Sequence, residues 1–200
     1  MASVIDVLAF PELHLKPASD RGDGDFELST PQGAVIAVVS ADSRVRDHPP
    51  AIDRHATPRT TFEVRTPTGA LLMTCVQSRG RGHRLRIEVA LADGTTIGSV
   101  SGGGLSLLRR YRLTLDAPGD VAVGDLVSPA TGRFDLLGPA EEHWGHTDVL
   151  ARFLREADRP FEVTGATPHE FALAFAPGTP ARARLLTLAA LLGWERIRPT

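Results

Sequence analysis

The chain has 200 residues, 42% of them hydrophobic, and a formal net charge of −2. That composition fits one globular domain long enough to bury most of its apolar surface. The near-neutral balance offers no global pull toward nucleic acid or an anionic membrane, so any electrostatic role must come from a local patch, and a single cysteine, Cys75, excludes an internal disulfide and fits a reducing compartment.

Residues 1–10 lack the basic start and long apolar core of a signal peptide, and no window reaches the roughly 18 apolar residues of a membrane span. The expectation is an intracellular, cytoplasmic protein without a transmembrane segment. Residues 1–25 read as an N-terminal segment that ends in a turn rich in aspartate and glycine (Asp20, Gly22, Asp23, Gly24, Asp25). This turn lacks the distal glutamate of an EF-hand calcium loop.

From residue 26 a phrase recurs. Phe26-Glu27-Leu28 is followed by Gly33, Phe62-Glu63-Val64 by Gly69, Ile87-Glu88-Val89 by Gly94, and Tyr111-Arg112-Leu113, more loosely, by Gly119. A large apolar residue, a polar one and an aliphatic one in succession have the period of two that sends alternate side chains to opposite faces of a strand. Glycine then supplies the positive φ of a hairpin turn. Apolar return arms follow at 34–39 and 70–76, and the copies start 36, 25 and 24 residues apart, the mark of a reused supersecondary unit. The wider first spacing is a loop at 48–59, which holds three prolines.

Two weaker copies come later: Phe134-Asp135-Leu136 with a return arm near 149–154, and Phe161-Glu162-Val163 with a return arm at 171–175. Six hairpins predict twelve strands. Segment 147–157 also fits a short amphipathic helix through Val149, Leu150, Phe153 and Leu154, but the repeat favours a return strand there.

The one strong helix comes last, over 181–192. Thr179 is its expected N-cap, Pro180 its first residue and Gly193 its stop. Leu185, Leu186, Leu188, Ala189, Ala190, Leu191 and Leu192 cover every side of a helical wheel, interrupted only by Arg182, Arg184 and Thr187. A helix apolar all round is enclosed by protein or by lipid; about 18 Å of helix is too short for a ~30 Å hydrocarbon layer. The predicted fold is therefore mainly β, a closed antiparallel barrel of about twelve strands around a buried hydrophobic C-terminal helix, which also removes exposed strand edges.

This order of elements, repeated aromatic-x-aliphatic hairpins with glycine turns and a hydrophobic helix after a final strand, resembles the superfamily of tubby C-terminal domains, phospholipid scramblases and LURP-one-related proteins. The resemblance spans about 26–194 and implies one barrel domain over 26–200, of a bacterial type. That origin accords with arginine making up 21 of the 22 basic residues, a skew typical of GC-rich genomes. Tubby-type members bind phosphoinositide head groups, scramblases associate with membranes and calcium, and the plant LURP-one proteins are linked to defence. The chain lacks the proline-rich extension and cysteine cluster of scramblases, so calcium-driven scrambling is not implied.

The densest basic stretch is Arg79, Arg81, His83, Arg84 and Arg86, between two hairpins, with Arg109, Arg110 and Arg112 placed similarly before the fourth. Connections of the same parity that gather at one barrel end would make these one anion-binding rim; the alternative is solvated loop and edge charge that serves solubility. Gly102-Gly103-Gly104 lacks the lysine and following helix of a phosphate-binding loop.

His143, His146 and Asp148 offer two imidazoles and a carboxylate within the 141–148 segment, with nothing nearby to complete a metal site. No serine or cysteine stands in a nucleophile context, and Cys75 has no cationic sequence neighbour to activate it. The expected function is a non-catalytic, membrane-peripheral module for anionic lipid head groups, without cofactor, metal or nucleic-acid partner. The alternatives are a structural or protein-interaction domain with a protein partner, or a metal-dependent enzyme using 141–148.

Overall fold

The computed structural model describes residues 9–18, 25–41, 59–79, 85–102, 112–130, 133–150 and 170–197. Twelve strands follow in order: β1 (Glu12–Pro17), β2 (Phe26–Ser29), β3 (Val35–Ala41), β4 (Arg59–Arg65), β5 (Leu71–Arg79), β6 (Leu85–Leu91), β7 (Thr96–Gly102), β8 (Arg112–Ala117), β9 (Val121–Ala130), β10 (Arg133–Leu137), β11 (His143–Leu150) and β12 (Glu170–Phe175). Helix α1 (Ala181–Ile197) completes the chain. Each strand pairs antiparallel with its sequence neighbours, and β1 pairs with both β2 and β12, so the sheet closes into a barrel.

The repeat is stricter in three dimensions than in sequence. An aliphatic residue ends each motif and, five positions later, the backbone has positive φ: Leu28 and Gly33, Val64 and Gly69, Val89 and Gly94, Leu115 and Asp120, Leu136 and Glu141, Leu173 and Gly178. Pairing slips by one residue after the motif in the first five units, between Leu28/Ser29, Val64/Arg65, Val89/Ala90, Leu115/Asp116 and Leu136/Leu137. A bulge of this kind adds twist at a hairpin end.

Three expectations are corrected by this pattern. The fourth unit is Leu113-Thr114-Leu115, two residues beyond the expected Tyr111-Arg112-Leu113. The fifth return arm is β11, starting at His143 rather than near 149. The sixth unit is Phe171-Ala172-Leu173 with Gly178, so 171–175 is an outgoing strand and the helix takes the place of its return arm.

The missing return strand comes from the N-terminus. Residues 12–17 were expected to lie outside the barrel, yet β1 closes it, with Leu13 opposite Leu173 and Leu15 opposite Phe171 on one side and Leu28 on the other. The expected strand at Phe161-Glu162-Val163, the loop at 48–58, and 151–157 lie outside the described residues.

Helix α1 is buried on every side across 185–193 and shares one core with the inward residues of the strands. Each fully buried leucine there contributes about 1.5–3 kcal/mol. The hydroxyl of Thr187, also buried, donates to the Ala183 carbonyl at 2.9 Å, so its polar atom has a partner inside the helix. The helix leans on the wall formed by β6, β7, β8 and β9. Phe26, Phe62, Phe134, Phe171 and Phe175, on β2, β4, β10 and β12, are the buried phenylalanines of the remaining walls. This eccentric seat accounts for the motif's chemistry: its leading residue is Phe where the wall must reach inward, and Ile87 or Leu113 where the helix presses close.

The ends of α1 differ from expectation. Arg184 N–H donates to the Pro180 carbonyl, which makes Pro180 rather than Thr179 the first acceptor. The Thr179 hydroxyl points away from the helix, 2.6 Å from the Trp144 carbonyl and 2.8 Å from that of Ala176. Gly193 does not stop the helix, which runs on to Ile197; a methyl built on Gly193 would overlap Ile87 Cδ1 and come within 3.2 Å of Ile87 Cγ1 and 3.6 Å of Leu85 Cδ1. Glycine is there for close approach to β6.

Candidate functional site

Strand alternation sorts every link between elements to one of two barrel ends. The hairpin turns, and the turn from β12 into α1, lie at one end. The connections β1–β2, β3–β4, β5–β6, β7–β8, β9–β10 and β11–β12 leave and re-enter at the other. The register confirms it for the two arginine runs: Arg79 is opposite Leu85, Leu85 opposite Gly102 and Gly102 opposite Leu113, one continuous row at the connection end.

The two connections that bear the runs, 80–84 and 103–111, contain Arg81, Arg84, Arg109 and Arg110 and no carboxylate. The links at the opposite end contain Asp93, Asp120, Glu141 and Glu142 and no lysine or arginine. Helix α1 enters from the hairpin-turn end and runs toward the connection end, where Gly193 meets β6.

Of the expected rim residues, Arg81, His83, Arg84, Arg109 and Arg110 lie outside the described residues. Arg79 is the last residue of β5. Arg86 and Arg112 stand on the outer face, alternating with the inward Leu85, Ile87 and Leu113, and both are engaged. Arg86 Nε lies 3.5 Å from Glu88 Oε1. Arg112 donates to Asp125 Oδ2, whose partner oxygen accepts from Thr114 at 3.1 Å. These contacts with Arg112 hold the Asp125 carboxyl below the usual carboxylate range. Exposed pairs of this kind are worth about 0–1 kcal/mol, little enough that either arginine can exchange its carboxylate for another anion.

Asp116 on the same wall is the opposite case. Burial first, then Asp120 and Asp125, push its carboxyl above the usual range, against the opposing pull of Arg86. The Cys75 thiol is fully buried and pushed up to about 12 by desolvation, so the reactive thiolate is suppressed.

His143 and His146 are three residues apart, a spacing that sends side chains to opposite faces of a regular strand. Gly145, with φ of 152°, sits at the irregularity where Leu136 pairs with Gly145 and Leu137 with His143. Both imidazoles emerge on the outer side with ring centroids 6.3 Å apart. Their Nε2 atoms address different carboxylates, Asp135 at 3.6 Å and Asp148 at 3.5 Å, and the described residues contain no group of three metal-ligating side chains placed to hold an ion. Sequence reading missed His14, which β1 brings to this same wall; its period-two neighbours Leu13 and Leu15 were the available signal.

No helix among the described residues is long and apolar enough to cross a membrane. Comparison with protein-family models, curated proteins and solved structures returns no match.

Proposed function

We propose that the protein is a non-catalytic, membrane-peripheral module that docks the connection end of its barrel on an anionic surface, with phospholipid head groups as its ligand, and that it is a member of the tubby, scramblase and LURP-one-related superfamily. The observation that carries the docking reading is local: the neighbouring connections 80–84 and 103–111 carry four arginines and no carboxylate, whereas the other arginine-bearing connections at that end mix arginine with carboxylate, and the turns at the opposite end carry Asp93, Asp120, Glu141 and Glu142 without lysine or arginine. A helix fills the interior, which directs binding to the outside. The kinship rests on the order of elements, hairpin units closed around a terminal hydrophobic helix.

Vesicle co-sedimentation tests the reading. Each arginine near an anionic surface contributes about 1 kcal/mol, so Arg81→Ala with Arg84→Ala is expected to lower partitioning onto phosphoinositide or cardiolipin vesicles by about tenfold or more. Binding should weaken as salt rises, since the Debye length falls from about 10 Å at 0.1 M to about 3 Å at 1 M. If the parent protein sediments with none of these vesicles, the reading is wrong.

A further inference from the structure

The histidines among the described residues, His14, His143 and His146, all stand on the outer face of one wall, β10–β11–β12–β1. The register forms two rows across it. Glu12 is opposite Ala174, which is opposite His146, which is opposite Asp135; His14 is opposite Ala172, which is opposite Asp148, which is opposite Arg133. The small side chains of Ala172 and Ala174 leave the histidines of β1 and β11 unobstructed on either side of a low strip. Each imidazole has a carboxylate beside it, with His14 Nε2 lying 3.4 Å from Glu12, His143 Nε2 3.6 Å from Asp135 and His146 Nε2 3.5 Å from Asp148.

The other charged groups on the strands of this wall and on β2 are Lys16 on β1, Glu27 opposite it on β2, Glu170 on β12 at 3.0 Å from Lys16, and Arg133 on β10 at 2.9 Å from Asp135; at its turn edge stand Glu141, Glu142 and Arg184, the last over the Phe175 ring, and beyond β10, Asp125 on β9 is occupied by Arg112. With neutral imidazoles, Glu12, Glu27, Asp135, Asp148 and Glu170 exceed Lys16 and Arg133 by three charges. Three protons cancel that excess.

Resting on the docking reading above, we propose that this wall makes adsorption to anionic surfaces pH-gated. At mildly alkaline pH its negative charge is repelled, and the barrel meets the surface only through its arginine-bearing end. As the imidazoles charge, the repulsion disappears and the barrel can lie with this wall against the head groups, adding contact area. Imidazole is the side chain whose charge changes in this interval.

The test compares the parent with the triple variant His14→Gln, His143→Gln, His146→Gln on phosphatidylcholine vesicles containing roughly one phosphatidylserine in three, at about pH 8 and about pH 5. The substituted positions are on the outer surface, and thermal unfolding checks that the variant is folded; His14→Gln alone serves if it is not. The parent is expected to partition about tenfold or more better at the lower pH, and the triple variant to lose most of that gain. A parent that binds equally at both pH values, or a variant with the parent's full pH dependence, overturns the gating and leaves the docking reading standing. A parent that binds at neither pH overturns both.

Discussion

Replacing Gly193 with alanine sets two known effects against each other. In an unconstrained helix interior the change stabilises by about 1 kcal/mol, because alanine loses less backbone entropy. Here the new methyl would overlap Ile87 Cδ1 and press on Ile87 Cγ1 at 3.2 Å, in a site where Ile87 is fully buried. Overpacking of this kind costs about 1–3 kcal/mol, so the steric effect wins and Gly193→Ala should be net destabilising by about 1 kcal/mol. Removing the clashing atom isolates the cause. In the parent, Ile87→Val should cost about 0.5–1.5 kcal/mol, whereas in the Gly193→Ala background it should cost nothing or restore stability, giving a coupling of about 1 kcal/mol or more. Urea unfolding followed by tryptophan fluorescence measures all four corners of the cycle. A Gly193→Ala protein more stable than its parent, or an Ile87→Val cost that is the same in both backgrounds, would refute the close seating of helix against β6.

Glu141 holds, at φ of 62°, the positive-φ turn position that glycine fills in four of the other five units and Asp120 in the fourth. The left-handed conformation costs a residue with a Cβ about 1–2 kcal/mol, against roughly 0.5–1 kcal/mol of extra unfolded-state entropy for glycine, so Glu141→Gly should raise stability by about 0.5 kcal/mol in the same unfolding assay. Asp116→Asn should also stabilise at neutral pH, by about 0.5 kcal/mol or less for a surface change. Because its folded carboxyl is raised chiefly by burial, its favourable contribution is complete below the ordinary aspartate value of about 3.9 and is lost as pH rises through the raised value. The gain from asparagine should therefore fade as the pH is lowered toward that value, and a gain that persists or grows in acid would contradict it.

Sequence alone determined the elements that answer to local physics. Period-two alternation marks Phe62, Val64 and Ile87 as inward, glycine at 33, 69 and 94 marks turns, and a helix of leucine and alanine with no polar face required an enclosure. The enclosure had to be the sheet, since nothing else in the chain could cover it. The arginine runs were legible as runs, and their parity as a condition.

Pairings between distant positions are settled in three dimensions alone. Leu13 and Leu15 alternate as plainly as any strand, yet their partners Phe171 and Leu173 lie at the other end of the chain, and no local signal specifies such a contact. The positive φ of Glu141 is imposed by the shared turn geometry, not by its own preference. Gly193 could be read as a helix stop because a glycine signals chain freedom and close packing with the same letter, and only Ile87 across the core distinguishes them. The same holds for the outer wall: His14 and His146 share a surface because barrel closure places β1 beside β12, a consequence of geometry that spacing along the chain does not encode.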